Sequence, residues 1–139
     1  MYYISILLAA SAGVLYHVSQ KSIPENATPA VSMMLTFATA LIGTIIWYQF
    51  DGTSKSWIDQ VKETNWASIS LGCSLIGLEL GILLAYRAGW KVSNFSVANM
   101  TLLALFLLPV GVLLFKETIS FKTVAGLLIA LTGIAIMKL

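Results

Sequence analysis

The chain has 139 residues, of which 58% are hydrophobic and only 10% charged, and its mean hydropathy is +0.89. Soluble domains carry about 45–50% apolar and about 25% charged residues, so this composition excludes an ordinary water-soluble globule, and the length excludes a large multi-lobed enzyme. The net charge of +2 comes from eight basic residues against six acidic ones with no basic cluster, which is no footprint for nucleic acid.

Five stretches are long and apolar enough to cross a bilayer core, a task that needs roughly 20 residues and at least about 17. The first covers about residues 2–18 and stops at Ser19-Gln20-Lys21. No basic segment opens it and no small-residue cleavage site precedes a polar domain, so it reads as a span and not as a removable signal. Pro24 and Pro29 bracket a short link to the second span, about 30–50, which carries no charge and closes on Trp47 and Tyr48, residues suited to the headgroup boundary.

Residues 51–65 form the clearly polar interval, with Asp51, Lys55, Asp59, Lys62 and Glu63. It reads as a loop with room for a surface helix around Trp57 to Lys62. The third span covers about 66–88, where Arg87 and then Lys91 leave the membrane. The fourth covers about 95–115, and the fifth about 122–138, short enough that Phe121 and the stem of Lys138 must extend it.

Unpaired backbone groups cannot face lipid, so a spanning segment is a helix or part of a closed barrel of alternating strands. These runs are continuous and do not alternate. The expected fold is an all-α integral membrane protein, one domain over residues 1–139, with a bundle of about five transmembrane helices. Cys73 is the sole cysteine, which rules out an intrachain disulfide or a paired-thiolate metal cluster. Its apolar neighbours predict a buried, inert thiol.

Five spans place the termini on opposite faces, which sorts the basic residues by side. Lys21, Arg87, Lys91 and Lys138 fall on one face, and Lys55, Lys62, Lys116 and Lys122 on the other. Orientation normally follows an excess of Lys and Arg in the cytoplasmic loops, and a four-to-four tie supplies none. Short loops with few charges produce such a tie by chance; the sharper reading is dual topology, with copies inserted both ways and paired antiparallel.

From Tyr86 onward the order of parts is distinctive. A short connection Lys91-Val92-Ser93 leads into Asn94 to Met100, which opens a span containing Leu107-Leu108-Pro109-Val110. Phe115-Lys116-Glu117-Thr118-Ile119-Ser120 forms a turn, and a Gly-rich helix follows with Gly126-Leu127-Leu128-Ile129 and Thr132-Gly133-Ile134. This resembles the EamA module of the drug/metabolite transporter superfamily. In that family the turn is commonly Leu-Gly-Glu, whereas Lys116 stands here before Glu117. The resemblance covers most of the chain and is looser before residue 60. It implies one half of an inverted-repeat transporter, completed as a homodimer or with a similar half. Small multidrug members carry a glutamate in their first span, and no acid stands in the first span here.

Glu79 is the ionisable side chain deepest in a span, thirteen residues after Trp66 and so roughly 20 Å along the helix. Charged groups at such depth usually face a cavity or a partner. A substrate-binding or proton-exchanging carboxyl needs such a place; the alternative is a neutral acid bonded to a neighbouring helix, or a pair with His17 or Arg87. Helical spacing puts Tyr86 and Trp90 near the Glu79 face, where a flat or cationic ligand could stack, although Trp90 also suits the role of an interfacial anchor.

Tyr16 and His17, near the end of the first span, are either interfacial polar groups or a gate or proton relay. Asn99 either bonds between helices or offers a neutral hydrogen bond to substrate. Gly77 and Gly81 form a GxxxG pair, and Gly126, Ala130 and Gly133 mark a small-residue face on the last helix, the expected dimer contact. Pro109 predicts a kink or hinge in the fourth span.

No nucleophile is paired with a base, and no phosphate loop or metal-ligand spacing occurs, so neither enzymatic chemistry nor a metal or other cofactor is expected. The leading expectation is a multi-pass secondary transporter of a small metabolite or drug-like solute in the cell membrane, in contact with lipid and working as an antiparallel homodimer. A flippase subunit for a lipid-linked head group and a non-transporting assembly protein with a membrane partner remain open.

Overall fold

The computed structural model describes residues 2–52 and 56–137. Lys55 and Lys138, both used above to sort charge by side, lie outside them. Six helices follow in order: α1 (Tyr2–Lys21), α2 (Pro29–Phe50), α3 (Trp57–Glu63), α4 (Trp66–Arg87), α5 (Val92–Phe115) and α6 (Phe121–Ile136). Among the described residues there is no strand. The short α3 occupies the polar interval, with Asp59 in its first turn and Lys62 in its last.

Local chemistry sets the helix ends. Thr28 is extended, as the residue before a proline prefers, and Pro29 opens α2 where its missing N–H removes no helical bond. Asn65 caps α4 by accepting the Ala67 N–H at 2.9 Å, and Ser120 caps α6 by accepting the Thr123 N–H at 3.3 Å. Gly89, just past the end of α4, has a φ of 95°, the left-handed stop that glycine tolerates. At the end of α5 the stop is Lys116 with φ 53° and ψ 33°, and its N–H and that of Glu117 both reach the Gly111 carbonyl. The missing glycine of the turn therefore has a conformational consequence: a lysine sits in the left-handed region, at about 1–2 kcal/mol.

Among the described residues four helices are long and apolar enough to cross a membrane: α1 from Tyr3 onward, α2, α4 and α5. α6, expected as a fifth span, has 16 residues, a rise of about 24 Å against a hydrocarbon core of about 30 Å. Such a helix crosses only where the bilayer thins locally or flanking side chains snorkel. The spans are apolar on all sides, and Leu7, Ile45, Ile69 and Leu113 are each more than half exposed. Cys73, expected to be buried, is exposed on α4. In a membrane helix an apolar run is covered by lipid as readily as by protein, so apolar neighbours do not predict burial.

Hydroxyls in these spans bond to their own helices. Thr36, Thr39, Ser74, Thr101 and Thr132 each donate to the carbonyl four residues earlier at 2.8–3.0 Å, which removes an unmet donor from the hydrocarbon. The helices group into two compact units, Met1–Ala88 and Gly89–Leu139. In the first, α4 packs on α1 and α2; in the second, α5 packs on α6.

Candidate functional site

The α4 residues buried within the first unit are Glu79, Ile82, Leu83 and Tyr86. Their spacing of three and four residues makes one stripe along the helix. On α1 the facing residues are Tyr16 and Gln20, one turn apart, and His17 and Lys21 beside them. α1 and α4 run in the same direction here, since Tyr16 meets Glu79 and Lys21, further along α1, meets Tyr86.

The polar contacts form a ladder. The Tyr16 hydroxyl donates to Glu79 Oε2 at 2.8 Å. Gln20 Nε2 donates to the Glu79 main-chain carbonyl at 3.4 Å and lies 3.5 Å from the Tyr16 oxygen. Two turns further along α4, Tyr86 Oη and His17 Nδ1 are 2.9 Å apart, and Lys21 Nζ donates to the Tyr86 carbonyl at 3.0 Å. Lys21 Nζ also sits 5.6 Å from the centre of the Tyr86 ring, a cation–π contact. The His17 ring meets both Tyr16 and Tyr86 edge to face, with centroids 5.3 Å and 6.1 Å away.

Burial gives this ladder its weight. Gln20, Glu79 and Tyr86 are 3%, 5% and 3% exposed. Glu79 is thus a carboxyl withdrawn from solvent and held by a phenol, where a bare charge would be costly. The Gln20 Oε1 atom is buried with no hydrogen-bond partner, an exception in a protein interior. A cleft of about 450 Å³ borders these groups, lined by Ala12, Leu15, Ser19, Ile23 and Thr36 together with Tyr16, Gln20 and Glu79. That volume lies in the range of small-molecule sites, apolar walls with a few convergent polar groups.

Of the residues singled out from sequence, the structure brings together Glu79 with Tyr16, and His17 with Tyr86. The partners anticipated for Glu79 are otherwise engaged: His17 meets Tyr86, and Arg87 donates to the carbonyls of Pro24 and Ala27, tying down the link between α1 and α2. Gln20 was missed as a site residue, although its spacing of four from Tyr16 puts both on one face of α1. Trp90 lies beyond Gly89, past the end of α4, so the helical spacing that assigned it to the Glu79 face does not extend to it. It packs edge to face on Phe95 at 5.9 Å.

Asn99 is half-buried on α5, and Pro109 lies inside that helix. A Cβ added at Gly77 or Gly81 would meet nothing within 4 Å, so the GxxxG face is open within its unit. Gly126 and Ala130 line a second cleft, of about 560 Å³, between α5 and α6, with Glu117 as its charged lining residue. A Cβ added at Gly126 or Gly133 would likewise meet nothing. Among the described residues no group of three or more His, Cys, Asp or Glu side chains is placed to hold a metal.

No curated protein and no solved structure matches the chain. The model of the EamA-like transporter family, by contrast, matches residues 1–139 from end to end. With four helices long and apolar enough to span and a family-wide match of this extent, the chain is a membrane protein of several spans and belongs to the EamA-like transporter family.

Proposed function

We propose that the protein is a secondary transporter of a small metabolite or drug-like solute, working in the cell membrane as an antiparallel, dual-topology homodimer around Glu79. One observation carries this reading: a carboxyl buried in a spanning helix, held by the Tyr16 phenol of another helix, at the wall of a cleft of about 450 Å³. A purely structural pair accounts for the hydrogen bond. It does not account for a ligand-sized space beside it.

The chemistry follows from competition. A carboxyl of this kind holds a proton or a donor group of the solute, and exclusive occupancy of that kind ties the movement of one to the movement of the other. Tyr16 fixes Oε2 and leaves the carboxyl's remaining acceptor capacity to the cleft. With α6 crossing as the fifth span, the basic residues balance between the two faces, which supports insertion in both senses, and an inverted pair reproduces the repeat architecture common among secondary transporters.

A thermal-shift screen of the purified protein against small solutes, run at two pH values, identifies stabilising ligands. Uptake of those ligands into proteoliposomes under an imposed pH gradient then tests the mechanism. The Glu79→Gln variant should insert normally and lose gradient-driven uptake. Wild-type uptake by that variant overturns the carboxyl mechanism. A reporter fused to the C-terminus should give signal from both sides of the membrane, and signal from a single side refutes dual topology.

A further inference from the structure

We infer that α3 is an in-plane membrane anchor whose apolar face, Trp57, Ile58 and Val61, lies in the headgroup boundary of a zwitterionic lipid surface. The inference stands apart from the Glu79 cleft and rests on how the polar interval folds.

α3 has seven residues, Trp57–Glu63, about two turns and about 10 Å of rise. At about 100° per residue, Trp57, Ile58 and Val61 share an arc of about 100°, while Asp59 and Glu63 fall on the opposite side. An interfacial helix requires this division into an apolar and a charged face. All three apolar side chains are exposed, Trp57 by 64% and Ile58 by 61%. The contact to the neighbouring span comes from a flank of the helix: Gln60 Nε2 donates to the Tyr48 hydroxyl of α2 at 3.3 Å. That bond docks α3 on the end of α2 and leaves the apolar arc uncovered.

Chain length fixes its level. Two residues, Thr64 and Asn65, join α3 to Trp66 at the start of α4, a reach of about 11 Å at most. Trp66 is 77% exposed, and Trp47 and Phe50 in the last turn of α2 are exposed as well. Tryptophans at the ends of spanning helices sit at the headgroup level. The ends of α2 and α4 therefore mark that level, and α3 is tethered to both.

Size and charge choose the occupant. Three side chains on a two-turn helix fall far short of the roughly 800 Å² per partner that a stable protein interface buries, whereas the bilayer around the neighbouring spans sets no such minimum. α3 carries Asp59 and Glu63 against Lys62, and residues 51–65 hold three acids against two lysines. Attraction to anionic lipid is the work of clustered basic residues. Insertion here runs on apolar burial, and a zwitterionic surface is enough for it.

The test is tryptophan quenching in the full chain, reconstituted into phosphatidylcholine vesicles. The Trp57 signal is read in two ways: in a chain with Trp47→Phe, Trp66→Phe and Trp90→Phe combined, and as the difference between wild type and Trp57→Phe, which keeps the other tryptophans. Phosphatidylcholine brominated near the headgroup end of its chains should quench Trp57 more strongly than lipid brominated at the chain ends, since an interfacial helix buries its apolar face about 5–10 Å. Aqueous acrylamide should quench it less than free tryptophan. Adding phosphatidylglycerol should leave both readings unchanged. Val61→Asp should raise acrylamide quenching and remove quenching by lipid, and Asp59→Asn on the opposite side should change neither.

Acrylamide quenching equal to that of free tryptophan, with none by brominated lipid, overturns the inference and places α3 in water. Protection from acrylamide without lipid quenching also overturns it and assigns the arc to a protein contact, a second copy included. Stronger quenching from the chain ends, or quenching by lipid that needs phosphatidylglycerol, refutes an in-plane helix on a zwitterionic surface.

Discussion

Replacing Tyr16 by Phe removes one oxygen and leaves the ring, so it takes away the bond to Glu79 and with it only the long contact from Gln20 on the same helix. In soluble proteins a hydrogen bond to a charged group contributes about 1.5–3 kcal/mol. Within membranes, interhelical hydrogen bonds average about 0.6 kcal/mol and reach about 1.7, because the separated helices find other partners. The 2.8 Å length and the burial of Glu79 place this bond toward the upper end of the membrane range. We expect Tyr16→Phe to lower stability by about 1–2 kcal/mol. The assay is reversible unfolding in mixed micelles of increasing SDS fraction, run as a double-mutant cycle with Glu79→Leu. Glu79→Gln is unsuitable as the second arm because its amide carbonyl still accepts the phenol. The cycle should return a coupling of about 1 kcal/mol. A coupling indistinguishable from zero refutes the claim that this bond joins α1 to α4, whatever the single variants cost.

Tyr86→Phe removes the contact to His17 Nδ1 but not the Lys21 bond to the Tyr86 carbonyl; a loss of about 1 kcal/mol is expected in the same unfolding assay, and no loss would mean that His17 finds another donor or acceptor at once. Lys116→Gly relieves a left-handed non-glycine residue and should stabilise the protein by about 0.5–1 kcal/mol, whereas a destabilised variant would show that the lysine side chain has a role of its own. Gly111→Ala puts a Cβ 2.5 Å from Glu117 Oε2, but the carboxylate can swing aside and alanine favours the helix by about 1 kcal/mol. That variant should be neutral to slightly stabilised, and a loss above about 2 kcal/mol would show that Glu117 is wedged in place.

The helices were legible because hydrophobic runs of span length, bounded by Pro, Gly and polar turns, leave few alternatives in a membrane. The difficulty lay with packing. In a soluble helix an apolar stripe marks the buried face, but α1, α2, α4 and α5 are apolar all round, and Cys73 shows that an apolar setting there carries no information about burial. Glu79 stood out because an acid is costly at that depth. Its partner did not, because Tyr16, His17 and Arg87 are all plausible by type, and only the facing of α1 against α4 selects the phenol. Gln20 was readable from its spacing to Tyr16, yet glutamine at a span end looks like an ordinary polar exit. Trp90 failed for a local reason: Gly89 breaks the helix on which its assignment depended.

The hydrogen bonds described between α1 and α4 all start from Tyr16, His17, Gln20 or Lys21, in the last two turns of α1. Because they converge from two turns of α1 onto two turns of α4, turning either helix about its own axis strains them all at once, which holds the acid and its phenol face to face.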